Sequence, residues 1–464
     1  MIREFKNKKV VIMGLGAYTQ GSGLAAAVFF AQAGARVLVT DMKPASLFAS
    51  AIAGLKKYPN VRFVFGKHRE EDFATADLII KNPDVPKSSP YVQIAHKYGV
   101  LVWGDWTVFL AVSNAMIVGV TGSKGKSTTT VLINEMVRQQ YRSHLCGNIG
   151  VSPLAIWKEI QDDDVVVAEL SSWGLHGFET ARISPHIAVI TNLFPEHLNK
   201  YKNIGEYYKD KEIIFRYQKT DDWCIANRDN AETKKRVARA KSTVLWFSKK
   251  PFRGNGAYVQ NKNIFFAQGN KKTRVCAVAD IHIPGAHNLE NVLAAVCTAM
   301  CMGVSPRIIQ KAIKEFQGIS GRMELVQTAK GITYYNDTTA TMPDAAIAAL
   351  GVLAGKRVIL LAGGTDKNLE YREFARAIKK HAPKLILFKG TATEKLIREL
   401  EHIRHKGAPT VVTSMKDAMA CARAEAKKGD VVLLSPGAAS FGIFKNEFDR
   451  GDQFSALVRK LPSR

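Results

Sequence analysis

VGVTGSKGKSTTT, residues 118–130, reads as a buried strand that stops abruptly in a glycine-rich turn and restarts as a helix. The first backbone N–H groups of such a helix have no partner within it, and they point the same way as the positive end of its dipole. Together they bind an anion. In the turn, Gly122 and Gly125 let the backbone approach a phosphate, with Ser123 and Lys124 between them. Lys126 supplies a point charge, and Ser127 or Thr128 a hydroxyl able to hold magnesium. Position 120 is Val, so the pattern is TGxxGKS rather than the commoner GxxxxGK[ST].

The chain around this loop has 464 residues, too many for one ordinary core, and two to four domains are expected. Hydrophobic residues make up 46% and charged residues 23%, which excludes a disordered chain. The N-terminal MIREFKNKKVVIMGLG enters an apolar strand at once, without the features of a signal peptide. No apolar run reaches spanning length, so a cytoplasmic protein without a membrane partner is expected. The six cysteines are scattered and none forms a CxxC pair, which fits core packing in a reducing compartment. Lys and Arg number 66 against 41 Asp and Glu, a net charge of +25 that draws in anions. The basic runs at 6–9, 233–241 and 379–384 lack interleaved aromatics, so no specific nucleic-acid partner is expected.

Short β-branched runs alternate with helical stretches, through more irregular sequence in the later part of the middle domain, giving three consecutive α/β domains at 1–109, 110–319 and 320–464. The first opens on GLGAYTQGSG, where Gly14, Leu15 and Gly16 begin a dinucleotide-type fingerprint. Thr19 stands where its third glycine belongs, and Asp41 closes the second strand in the place of a ribose-binding acid. In the middle domain three strands end in polar residues: the first in the phosphate loop, the second in Glu169, which closes VVVAE, and the third in Asn192, Glu196 and His197 of TNLFPEHLNKY. Ligands of parallel α/β sheets bind at those carboxyl ends, and a buried Glu169 is costly unless a cation meets it. The set describes a magnesium–nucleotide site.

TGSKGKST, GNIG, ELSSW, EHLNKY, GAHNLENVLAA, GRMELV, YYNDTTAT, LAGGTDK and SPGAASFGIFKNEFDRGDQF occur in the order found in the Mur ligases, and the chain resembles that family over essentially its whole length. The resemblance implies a Rossmann-like UDP-binding first domain, a central P-loop ATPase-like domain and a Rossmann-like third domain that brings the amino acid. It implies a monomer in cell-wall biogenesis, acting on small-molecule substrates. The last motifs resemble the glutamate-adding branch. This implies ATP-dependent, ADP-forming addition of glutamate to UDP-N-acetylmuramoyl-L-alanine through an acyl phosphate. D-glutamate is the expected amino acid; an L-glutamate-adding variant and a non-catalytic nucleotide-binding descendant are the alternatives.

The same resemblance assigns residues. ATP would contact Gly122, Ser123, Lys124, Gly125, Lys126, Ser127, Thr128, Asn288, Asn291, Arg322 and Asp337. The UDP substrate would contact Gly14, Leu15, Gly16, Asp41, Met42, Lys43, Asn148 and His197. Thr341, Lys367, Ser440 and Phe441 would hold glutamate. Two magnesium ions would be held by Ser127, Glu169, His197 and Lys211, the last as a carbamate. Lys126, His197, Lys211, Arg322 and Asp337 would carry catalysis. The chain departs from the family pattern at Thr339, where Lys is usual, at Glu447, which replaces an aromatic beside the glutamate pocket, and at Lys124, Gly174, His176 and Met42.

Overall fold

The computed structural model describes residues 2–16, 20–196, 201, 203–283, 285, 287–367, 369–382, 384–405 and 407–462. His197, with its proposed roles toward metal and substrate, lies outside the described residues.

The β-branched runs become strands because their side chains are covered on both faces by helices. Among the described residues the first sheet has five parallel strands: β1 (Lys9–Met13), β2 (Arg36–Asp41), β3 (Val61–Phe65), β4 (Leu78–Lys81) and β5 (Leu101–Trp103), in the order β3-β2-β1-β4-β5. This is the doubly wound order, with its switch point beside β1, where the glycine-rich turn sits.

The second sheet has nine described strands: β6 (Met116–Thr121), β7 (Ser143–Gly147), β8 (Val165–Glu169), β9 (Ile187–Ile190), β10 (Trp223–Asn227), β11 (Thr243–Ser248), β12 (Gly256–Gln260), β13 (Asn263–Gln268) and β14 (Lys271–Ala277). Their order is β14-β13-β12-β11-β10-β9-β6-β8-β7. The sheet is parallel from β7 to β12, and β12, β13 and β14 then run as an antiparallel meander. The β12–β13 turn places Asn261 and Lys262 at φ of 48° and 59°, a left-handed pair that closes a tight hairpin.

These two sheets share one compact unit, Met1–Ile281 with Ala286–Phe316. A common core explains it. Phe29, on the helix Ser22–Gln32, meets Trp157 edge-on at 5.2 Å, and Trp106 meets Phe178 at 5.1 Å. A Cβ on Gly177 would stand 2.8 Å from the Trp106 Cβ, so the helix carrying it packs backbone to side chain.

The second unit, His282–Gly285 with Gln317–Arg464, is built on β15 (Glu324–Ala329), β16 (Ile332–Asn336), β17 (Val358–Gly363), β18 (Lys384–Phe388), β19 (Thr410–Val412) and β20 (Val431–Leu434). The order is β15-β16-β20-β17-β18-β19, with only the edge strand β15 antiparallel. Strands β17 and β20 are buried along their whole length, as befits central parallel strands.

Candidate functional site

Strand β6 ends at Thr121, and the helix Lys126–Val137 begins after a left-handed Gly125 at φ 83°. The loop between them leaves no room for side chains at its glycines. A Cβ on Gly122 would lie 1.9 Å from Thr191 Oγ1, and one on Gly125 would lie 2.1 Å from Asn291 Oδ1.

The segment after β9 holds this loop in shape. Asn192 accepts from the Lys124 amide at 2.8 Å and donates to the Lys124 carbonyl at 3.1 Å, while Thr191 Oγ1 donates to that same carbonyl at 2.6 Å. The Ser123 amide donates to the Asn192 carbonyl at 2.9 Å, and Ser123 Oγ accepts from the Phe194 amide at 2.9 Å. Asn291, buried on the helix Asn288–Cys301, accepts from Thr129 and donates to Asn288 at 2.9 Å. The two asparagines therefore brace the base of the loop. The Lys124 ammonium forms an ion pair with Glu196.

Two further lysines converge on one carbonyl. Lys126 Nζ donates to Gly122 O at 3.0 Å, and Lys211 Nζ donates to the same oxygen at 2.9 Å. Lys211 projects from the helix Ile204–Arg216, whose N-terminus is capped by Asn203, and it is 2% exposed. Burial, reinforced by the charge of Lys126, holds its amine well below the usual lysine range against the attraction of Glu196, Glu169 and Asp210. A neutral amine is thereby favoured.

Glu169 closes β8, where Val165, Val166 and Val167 are wholly or almost wholly buried. Its Oε1 accepts from Asn148 Nδ2 at 3.2 Å, but its Oε2 is buried without any hydrogen-bond partner. An orphaned carboxylate oxygen beside a phosphate loop fits a cation. Asn148 is itself fixed by its amide, which donates to the Glu169 carbonyl at 2.8 Å. Among the described residues no group of three or more His, Cys, Asp or Glu stands ready to hold a metal. Of the described residues, Ser127 and Glu169 would hold a metal here, with whatever Lys211 becomes.

At the head of the first sheet Gly14 and Gly16 take φ of 86° and 79°, and Asp41 accepts from the Leu15 and Lys43 amides, each at 3.0 Å. Asp41 thus shapes the turn, while Met42 is 57% exposed beside it. The close packing sought at Thr19 is supplied by Gly23: a Cβ there would lie 2.3 Å from the Gly14 carbonyl oxygen.

The remaining residues lie in the second unit. Asp337 follows β16, where its carboxylate accepts from Ser435 Oγ at 2.7 Å and from the Met323 amide at 3.0 Å. Burial pushes this carboxyl up to about 7 despite those bonds and the charge of Arg322. Lys367 donates to Thr341 Oγ1 at 3.2 Å, Ser440 is buried, and Phe441 is 56% exposed. Thr339 Oγ1 donates to the Gly321 carbonyl at 2.9 Å, so this hydroxyl is engaged by the backbone of the preceding loop. Of the expected glutamate pocket, the structure brings Thr341 and Lys367 into direct contact.

All six cysteines are free, and no helix among the described residues is long and apolar enough to cross a membrane. Comparison with known proteins gives three domain matches: the Mur ligase MurD-like N-terminal domain at 8–104, the Mur ligase middle domain at 120–299, and the Mur ligase glutamate ligase domain at 321–437. A UDP-N-acetylmuramoylalanine–D-glutamate ligase of Roseiflexus sp. (strain RS-1) is 38% identical, covering 99% of this chain and 100% of its own. The enzyme of that name from Acetivibrio thermocellus is 35% identical, covering 99% and 98%. Among solved structures, the UDP-N-acetylmuramate-alanine ligase MurC of Thermotoga maritima superposes with a TM-score of 0.60 at 16% identity, covering 97% of this chain and 99% of its own. MurF of the same organism, in complex with ADP, gives 0.55 at 16% identity, covering 99% and 97%.

Proposed function

We propose that this chain, which belongs to the Mur ligase family, adds D-glutamate to UDP-N-acetylmuramoyl-L-alanine at the expense of ATP in peptidoglycan precursor synthesis. The observation that carries this reading is the pair of amines, Lys126 and Lys211, on the Gly122 carbonyl beside the orphaned Glu169 oxygen. Mur ligases in general use ATP and Mg2+.

A carboxylate oxygen of the L-alanyl group attacks the γ-phosphorus, the bond to the ADP oxygen breaks, and an acyl phosphate forms. The amine of glutamate then attacks the acyl carbon, phosphate leaves with the C–O electron pair, and the amine loses a proton. Lys126 and the first amides of its helix bind the phosphoryl oxygens as charge shifts among them. Lys126 leaves its loop carbonyls to do so. Asn288 and Asn291 support the loop, and Arg322 and Asp337 are assigned to ATP. Gly14, Leu15, Gly16, Asp41, Met42, Lys43 and Asn148 serve the UDP substrate, and Thr341, Lys367, Ser440 and Phe441 serve glutamate.

Ser127, Glu169, His197 and a carbamylated Lys211 would hold magnesium in two sites. The metal supplies charge masking between carboxylate and phosphate. An ammonium at Lys211 does not suit a cation site; a neutral amine that takes up carbon dioxide does. We assign the substrate, ATP and amino-acid roles to residues 1–109, 110–319 and 320–464, acting in a cytoplasmic monomer.

Hydroxylamine trapping tests the reading. Protein, ATP, Mg2+ and UDP-N-acetylmuramoyl-L-alanine without glutamate should yield the hydroxamate of the alanyl carboxyl, and omission of ATP should abolish it. No hydroxamate under any of these conditions would overturn the acyl-phosphate route.

A further inference from the structure

Among the described residues Arg450 is one of the largest fully buried side chains, at 0% exposure, and it has no ion pair there. Its guanidinium instead gathers neutral acceptors. Nε donates to Thr338 Oγ1 at 3.1 Å, Nη2 to the Thr338 carbonyl at 2.9 Å, and Nη1 to the Ala438 carbonyl at 3.3 Å. Thr338 Oγ1 passes its own proton to the Glu447 carbonyl at 2.7 Å, closing a ring through the first turn of the helix Glu447–Arg459. The next residue, Gly451, lets that helix come so near that a Cβ would lie 2.5 Å from Thr338 Cγ2.

The two segments bridged by Arg450 follow β16 and β20. One carries Thr338 to Thr341, and the other carries Ala438 to Phe441. A buried arginine that has no ion pair among the described residues and only the attraction of Glu447 is expensive, and apolar residues of similar volume often serve stability as well or better. Stability therefore does not explain it. A planar fork fixing three acceptors at once does explain it, because a lysine or a hydrophobe cannot set that spacing. Asp337 does not need this clamp: its amide donates to the Leu434 carbonyl at 2.7 Å, and its carboxylate is held by Ser435 and the Met323 amide. Among the described residues Thr341 is held by its amide, which donates to the Thr339 carbonyl, and by the Lys367 ammonium.

We infer that Arg450 is a positioning residue of the amino-acid pocket, its guanidinium clamping the Thr338–Thr341 and Ala438–Phe441 segments at the separation that glutamate requires. The inference rests on the proposed ligase activity. It assigns Arg450 to the second half of the reaction, amine capture, and not to phosphoryl transfer.

The full-length protein with Thr338→Val, Thr338→Ser, Arg450→Lys and Arg450→Met supplies the test. Two quantities are read: the KM for D-glutamate, and the rate of hydroxamate trapping without glutamate. Thr338→Val keeps the shape but removes the hydroxyl that receives Nε, so the KM for glutamate should rise about tenfold or more while trapping stays within about twofold. Thr338→Ser should restore wild-type values. Arg450→Lys, if folded, should behave as Thr338→Val does, and Arg450→Met more severely; if neither folds, the Thr338 pair decides. An unchanged KM in Thr338→Val, or equal losses in both half-reactions, would overturn the inference alone. Wild-type protein that traps no acyl phosphate and uses no glutamate would overturn the ligase reading and this assignment with it.

Discussion

Lys126 and Lys211 meet on one atom: both amines donate to the Gly122 carbonyl oxygen, at 3.0 and 2.9 Å, from helices 126–137 and 204–216. Two cations sharing an acceptor repel, and the buried partner yields. Lys211 is driven toward its neutral form, and Lys126 is only half-buried beside it. Lys126→Ala should lower turnover at least about a thousandfold, roughly 4 kcal/mol in the barrier, with an unchanged circular-dichroism spectrum. Turnover within tenfold of wild type would remove the loop from the mechanism.

For Lys211, the expectation concerns what a neutral amine can become. Lys211→Ala should be inactive and partly recovered by formate or acetate. Wild-type protein equilibrated with carbon-13 bicarbonate should show a carbamate resonance that the variant lacks. Absence of both the resonance and the rescue would leave Lys211 a simple buried amine.

Gly23→Ala tests the packing beneath the first glycine-rich turn. The new methyl would have to push aside the Gly14 carbonyl, now 2.3 Å from its position, and overpacking of this kind costs about 1–3 kcal/mol. The thermal midpoint should fall and affinity for UDP should fall with it. A midpoint equal to wild type would mean that the helix and turn are not in contact there.

Asp337 gives a pH signature. Its carboxyl is raised from 3.8 to about 7, so between those values the folded chain holds a proton that the unfolded chain has lost. The stability this confers is fully present below the unfolded value and is lost as pH rises through about 7. Relative to Asp337→Asn, which does not titrate, the wild type should therefore lose stability between pH 5 and pH 8. Parallel unfolding midpoints for the two proteins across that range would contradict the assignment.

Much of this architecture was legible because strand ends and glycines announce themselves. VVVAE and VGVT read as buried parallel strands, and the polar residues that end them, Glu169 and Thr121, are buried in the structure. The stretch after Ile190 was harder. Its strands β10, β12, β13 and β14 carry Asn, Gly or Lys, so they resemble loops until pairing covers them. Gly23 escaped notice because the fingerprint places the third glycine nearer the turn. The burial of Lys211 was hidden in EYYKDKEIIF, where neighbouring charges suggest a solvated helix face, and the resemblance alone marked it. Arg450 was hidden in the same way within EFDRGDQF. Its burial depends on Thr338, more than a hundred residues away, and no local pattern records that.

The most direct test of the central claim is product formation. Purified protein with ATP, Mg2+ and UDP-N-acetylmuramoyl-L-alanine would receive D-glutamate in one reaction and L-glutamate in another, with phosphate release and product mass followed together. The account predicts stoichiometric phosphate and the glutamyl product with D-glutamate only. Product with L-glutamate alone would contradict the assigned stereochemistry and direct attention to Thr339 and Glu447; phosphate release without any glutamyl product would contradict the ligase itself.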